Sequence, residues 1–186
     1  MHIPTEVFDD FATLFSYPST GLDGALTRSC AFFAEDAATA AFPGVYAALQ
    51  DFADGVRELP QGAREELYTR TFDINPVASL ELGWHLYGEQ YERGSFLVRM
   101  RGLLREAGIP EQTELPDHCA HVLQLLGRME EEQRRAFIGS HVGKALRIMR
   151  EQWTKEENPY RSCLDALRGV AQVLSPSSDE GVPHHV

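Results

Sequence analysis

Along almost the whole chain, apolar residues recur three and four positions apart, and a proline or glycine closes most runs. Val7, Phe8, Phe11, Leu14 and Phe15 share one helical face, opened at Pro4–Thr5 and closed at Pro18. Leu22, Leu26, Cys30, Phe33, Ala37 and Ala41 form a second stripe, ended near Pro43, and Val45, Leu49, Phe52, Ala53 and Val56 a third, ended by Pro60. Leu67, Tyr68, Thr71 and Phe72 make a shorter one. The stretch Ser79–Tyr91 reads as helix although Gly83 and Gly88 weaken it, and Phe96 to Ala107 repeats cleanly up to Gly108, where a C′ residue belongs. Stripes from Val122 to Met129, Val142 to Trp153 and Leu164 to Leu174 complete nine expected helices. No segment alternates apolar and polar residues between hairpin turns, so no strand is expected. Short links and no internal repeat predict an all-α, single-domain multi-helix bundle over residues 1–174. The polar segment 175–186 (SPSSDEGVPHHV, from Ser175) reads as a frayed tail, and its His184–His185 pair is too short to imply a metal site.

Composition narrows the function classes. With 43% apolar and 24% charged residues, a chain of 186 residues can bury a real core. Lys plus Arg is 17 against 28 Asp plus Glu, a net charge of −11, the wrong balance for nucleic acid or an anionic membrane surface but a suitable one for a basic partner. No apolar run reaches the ~20 residues of a bilayer span. The opening residues MHIPTEVFDDF lack the basic and apolar regions of a secretory signal, and Cys30, Cys119 and Cys163 are odd in number and widely spaced. A reducing, cytoplasmic setting is the expectation.

Enzyme signatures are missing: the sequence has no Gly-rich phosphate loop, nucleophile elbow, H-E-x-x-H or C-x-x-C. His118 and His121 lie three apart on an expected helix, so both can face one metal ion, or one can be partly buried and the other exposed on an ordinary amphipathic helix. A small all-α metal-dependent hydrolase using His118, His121 and Asp117, with His85 or His141, is the alternative those residues leave open. Asp117, after Pro116, can cap the helix that follows or line a groove at its start. In SLELGWHLYGEQYERGSF, Leu80, Trp84, Tyr87 and Tyr91 would share one helical face and Leu82 and Leu86 another. A helix apolar nearly all round is buried in the core or covered by a partner. Glu89, Glu92 and Arg93 read as a solvated edge.

The ordered set ELYTRTFD (Glu66 to Asp73), then Ser79-Leu80, then H-x-x-GE-x-x-x-RG (His85, Gly88, Glu89, Arg93, Gly94), then ELPDH (Glu114 to His118) resembles the assembly chaperones of respiratory nitrate reductase. These sit within the TorD-like molybdoenzyme maturation chaperones. The resemblance covers about Leu67 to Leu126, the middle third of the chain. It implies a TorD-like helical bundle that is not an enzyme and carries no cofactor of its own. Such a chaperone binds the N-terminal, often twin-arginine, segment of the catalytic subunit of a molybdopterin bis-guanine-dinucleotide oxidoreductase, and holds that subunit for cofactor insertion. Contact with cofactor-delivery proteins is compatible with it, and a monomer or weak dimer is expected. The family's ELPDH positions carry the peptide-binding role onto Asp117 and His118, and the other motif stretch carries it onto His85 to Arg93. A receptor for an Arg-plus-apolar segment needs greasy walls beside carboxylates. Tyr68, Phe72, Trp84 and Tyr87 are the candidates for the walls, and Glu89, Glu114 and Asp117 for the charge, with His85, Arg93 and His118 completing the expected peptide site. Bidentate pairing would let such a site tell Arg from Lys.

Overall fold

The computed structural model describes residues 2–110, 113–153 and 157–175. Its helices are α1 (Thr5–Leu14), α2 (Leu22–Ala34), α3 (Asp36–Ala41), α4 (Val45–Val56), α5 (Gln61–Tyr68), α6 (Leu82–Tyr87), α7 (Tyr91–Glu106), α8 (Cys119–Arg128), α9 (Glu131–Phe137), α10 (Gly143–Gln152) and α11 (Pro159–Leu174). A π turn, Thr69–Asp73, continues α5, and a second, Ile138–Val142, joins α9 to α10. The described residues contain no β-strand, only one isolated antiparallel bridge between Glu81 and His118. The fold is all-α, and none of these helices is long and apolar enough to cross a membrane.

The stripes read from sequence point inward. Phe11, Phe15, Phe33, Phe42 and Phe52 are buried in one contiguous core together with Tyr160 of α11. α1 packs on α2 and α8, α4 packs on α2 and α11, and α10 packs on α6 and α11. Two of these seams depend on missing side chains. A Cβ on Gly127 would lie 3.1 Å from Thr5 and 3.2 Å from Phe8, and one on Gly55 would lie 2.6 Å from Pro159. The Thr5 hydroxyl donates to the Gly127 carbonyl at 2.7 Å across the first seam.

Three expectations are corrected, and one falls outside the described residues. The single helix from Leu22 to Ala41 is two, because Glu35 is extended (φ −63°, ψ 137°), and the Thr39 hydroxyl donates to the Phe33 carbonyl across the break. The segment Ser79–Tyr91 is helical only in α6. Gly88 ends it at φ +56°, a left-handed value that glycine adopts without strain, and α7 starts afresh at Tyr91. Tyr91 is therefore not on a face with Leu80 and Trp84, and is 88% exposed. Helix α9 has no apolar stripe to announce it. It is held instead by buried Arg134, whose guanidinium lies over the Phe8 ring at 4.9 Å and donates to the Met129 carbonyl at 2.9 Å. From residue 176 onward the expected tail, with His184–His185, lies outside the described residues.

Candidate functional site

The bridge between Glu81 and His118 joins the two motif stretches. The Leu82 N–H donates to the Asp117 carbonyl at 3.0 Å, and the Cys119 N–H to the Leu80 carbonyl at 2.7 Å. Two segments far apart in sequence thus start α6 and α8 side by side. The π turn after α5 brings a third segment against them. It places Tyr68 and Phe72 in an edge-to-face cluster with Tyr160 and Trp153, at centroid distances of 4.8 Å for Phe72–Tyr160, 5.0 Å for Tyr68–Phe72 and 6.2 Å for Phe72–Trp153.

A cleft of about 460 Å³ opens where these segments meet. Tyr68, Phe72, Ile74, Pro76, Leu80 and Trp84 supply its apolar lining. Asp73, Glu81 and Glu114 supply three carboxylates, and no Lys or Arg is among its lining residues. The Ser79 hydroxyl donates to the Glu81 carboxylate. Burial pushes the Tyr68 hydroxyl up from its ordinary pKa, and the Asp73 and Glu114 charges push the same way. Ile74, 72% exposed, stands as an apolar rim.

His118 lines the cleft from the N-terminus of α8. Its Nδ1 accepts the Ala120 N–H at 3.2 Å, which fixes a neutral tautomer with the proton on Nε2. Burial drives its pKa down to about 4, against the pull of Glu81. His118, not Asp117, is therefore the cap, which corrects the capping reading of the aspartate. Asp117 is 0% exposed, and its Oδ2 accepts the Gly83 N–H at 2.9 Å. Gly83 is required there, since a Cβ would lie 2.5 Å from that oxygen and 3.0 Å from Phe96. Burial raises the Asp117 pKa, opposed by Arg93 and by the Gly83 N–H. Arg93 Nε stands 4.0 Å from Asp117 Oδ2, and its guanidinium lies over Trp84 at 5.5 Å.

Of the residues named from sequence, Tyr68, Phe72, Trp84, Glu114 and His118 line one cleft. His85 borders a neighbouring one of about 380 Å³ with Pro76, Val77, Trp84, Gly88 and Gln152. The His85 Nε2 is 2.7 Å from the Ser79 carbonyl, and burial lowers its pKa. Asp117 and Arg93 meet at Trp84, which borders both clefts. Tyr87 packs on Phe96 at 5.5 Å and Glu89 is exposed; neither lines a cleft, so the structure does not bring them to the others. Asp73, Ile74, Ser79, Leu80 and Glu81 were not among the sequence candidates for the peptide site. Asp73 and Ser79-Leu80 already stood in the motif set, and Glu81 adjoins it, so the signal was proximity to the motifs.

The hydrolase alternative finds little support. The His118 and His121 rings lie 6.2 Å apart, but His121 Nδ1 faces the Leu115 carbonyl at 3.0 Å, and His141 is stacked between Phe96 and Phe137 at 5.3 and 4.8 Å. Among the described residues no three His, Cys, Asp or Glu side chains converge as metal ligands do.

Residues 35–164 match the family model described as nitrate reductase delta subunit. A curated relative from Bacillus subtilis (strain 168), described as probable nitrate reductase molybdenum cofactor assembly chaperone NarJ, is 26% identical over 103 residues, and that stretch is 55% of each of the two chains. The family match takes in the cleft, the bridge and both motif stretches, and by it the chain belongs to the nitrate reductase delta subunit family.

Proposed function

We propose that this protein is a cytoplasmic assembly chaperone that holds the N-terminal segment of the catalytic subunit of a molybdenum-dependent oxidoreductase of the nitrate reductase kind until its cofactor is in place. The observation that carries the reading is the cleft itself, with aromatic and aliphatic walls beside Asp73, Glu81 and Glu114 and no Lys or Arg among its lining residues. A segment with apolar side chains next to arginine or lysine matches that surface in both chemistries, and helix-in-groove docking is the natural mode. His118, neutral at pH 7, adds no cationic charge to the cleft. The net charge of −11 steers a basic segment toward the protein and makes association weaken with salt. The likeness to the Bacillus relative supports the same reading.

Isothermal titration of the full chain with the N-terminal peptide of a molybdopterin catalytic subunit encoded beside it tests the proposal. Saturable binding at micromolar peptide, weakened by Trp84→Ala, is the expected result. No heat with any such peptide defeats it.

A further inference from the structure

A net charge of −11 makes the chain as a whole a poor host for anions, and one region departs from that balance. Helices α10 and α11 together carry five Lys and Arg against two Asp and Glu. A groove of about 810 Å³ is lined from both, and it shares no lining residue with the other two clefts. Lys144 and Arg147 of α10 and Arg168 of α11 line it, and no Asp or Glu does. The acidic cleft is its opposite, with three carboxylates and no Lys or Arg.

These cations keep charge to offer. Among the described residues Lys144 has no ion-pair partner. Arg168 donates to Asp165 Oδ1 at 3.0 Å, but the same oxygen accepts from Arg150 at 2.7 Å, so one carboxylate serves two guanidinium groups. Arg147 reaches Glu151 at 3.2 Å one turn along the same helix, and both side chains are more than half exposed, where such a pair holds weakly. The excess is felt next door: burial lowers the pKa of His141, and the Arg99 and Lys144 charges push it the same way. The end of α11 at the rim does not draw on these cations at Ala171, whose carbonyl accepts the Ser175 N–H and hydroxyl, both at 2.9 Å. Leu146, Ala171 and Val173 add apolar wall, and Val173 is 39% exposed.

We propose that the groove between α10 and α11 binds a phosphate-bearing ligand, with the phosphate held by Lys144, Arg147 and Arg168 and the ligand's apolar part laid against Leu146 and Val173. Cations arriving from two helices favour a phosphate, whose three terminal oxygens can each accept from a different side chain, over a carboxylate with two. Apolar walls beside a few convergent polar groups are the usual make-up of a small-molecule site, and the volume suits one. A free organic phosphate and a phospholipid headgroup share this chemistry, and the test separates them. The site goes beyond the chaperone reading and does not rest on it.

The test uses the full-length protein at constant ionic strength. Titration with 1-naphthyl phosphate, followed by calorimetry and by melting temperature, should show saturable binding at millimolar concentration, about 5-fold tighter than that of inorganic phosphate because of the apolar wall. Lys144→Gln/Arg147→Gln should weaken it about 10-fold or more. Arg105→Gln/Arg135→Gln, which removes the same charge from exposed positions outside the groove, should leave it within about 2-fold of wild type. All four side chains are exposed, so both variants should fold as wild type does. A second arm follows sedimentation with vesicles of phosphatidylglycerol and, for comparison, phosphatidylcholine. Phosphatidylglycerol binding that the groove variant loses and the control variant keeps supports the site and makes its ligand a lipid headgroup. Naphthyl phosphate binding without vesicle binding supports the site and makes its ligand a free organic phosphate. No saturable response to either soluble phosphate and none to vesicles overturns the site, as does binding that the two double variants lose equally, which would be an effect of net charge alone.

Discussion

The two sides of the bundle close differently. Where α1 meets α8 and α4 meets α11, glycine lets the elements touch, and the facing side chains are buried: Phe8, Phe11, Leu49, Phe52 and Tyr160 are all 2% exposed or less. Around the cleft, α7 buries only Phe96, Met100 and Leu104 of its sixteen residues, Ile74 and Tyr91 stand in solvent, and a buried carboxylate and guanidinium face each other without bonding. Tight seams hold native packing density, so their side chains are tied to stability. Regions that bind are drawn from the less stable end of a structure, because a surface already satisfied by its own neighbours has nothing to offer a partner. The contrast makes a division of labour: changes on the seam side alter folding, and changes on the cleft side alter recognition.

The largest effect should come from the seam. Phe52 is fully buried, with its ring 5.0 Å from that of Tyr160. Phe52→Ala should cost about 3–5 kcal/mol of unfolding free energy through lost transfer energy and a cavity. Urea denaturation measures it. Peptide affinity per folded molecule should stay as in wild type, and a parallel loss of affinity would break the division between the two sides.

Next comes the acid limb of stability, which belongs to the cleft. His118 has an ordinary pKa of 6.5, lowered in the folded protein to about 4. Between those values the unfolded chain takes up the proton and the folded one does not. The contribution is therefore fully present above about pH 6.5, lost as pH falls toward 4, and on the order of 3 kcal/mol in all. His85 and His141, both lowered by burial, act in the same direction. Asp117 acts in the opposite one, since its raised pKa makes the folded state keep its proton at higher pH than the unfolded state does. His118→Asn retains an acceptor for the Ala120 N–H and removes the titration. Unfolding free energy followed from pH 7.5 to 4 should fall less steeply in that variant. An unchanged slope would show that the cleft histidine does not carry the acid limb.

How far these features were legible follows from where their causes lie. The stripes on α1, α4 and α11 could be read because burial there repeats at the helical period, so period and core coincide. The break at Glu35 and helix α9 could not, since one depends on an extended residue between two helix-compatible runs and the other on an arginine folded over Phe8. At the site, Tyr68, Phe72, Glu114 and His118 could be named within the motif stretches and Trp84 beside one of them, as walls and charge for a groove, but not what unites them. The union is a two-residue backbone bridge between Glu81 and His118, to which side-chain periodicity is blind. Glu89 parts from Trp84 for a related reason: a continuous helix would carry both along together, and Gly88 turns the chain between them.

Smaller in stability than either of these, but sharp in specificity, is Trp84. It is only partly buried, so Trp84→Ala should lower the melting temperature little. It borders both clefts and stacks on Arg93, so loss of peptide affinity should be about 2 kcal/mol or more, the size of an interface anchor. If melting temperature drops by as much as for a seam residue while affinity holds, the indole belongs to the seam side of the comparison.

The smallest expected effect tests the charge alone. Glu114 is exposed at the cleft mouth, unlike Asp117, which has no contact with water. A rim charge attracts a basic segment through screened solvent, so Glu114→Gln should weaken binding by less than about 1 kcal/mol, chiefly through a slower association rate, and should leave stability alone. Its signature is the salt dependence: the slope of log affinity against log salt should become shallower in Glu114→Gln, with the two proteins converging at high ionic strength. A buried charge behaves otherwise, because salt does not reach it. Asp117→Asn should keep its deficit at every salt concentration, and the difference between these two acidic residues of one five-residue motif is the sharpest form of the contrast between rim and interior.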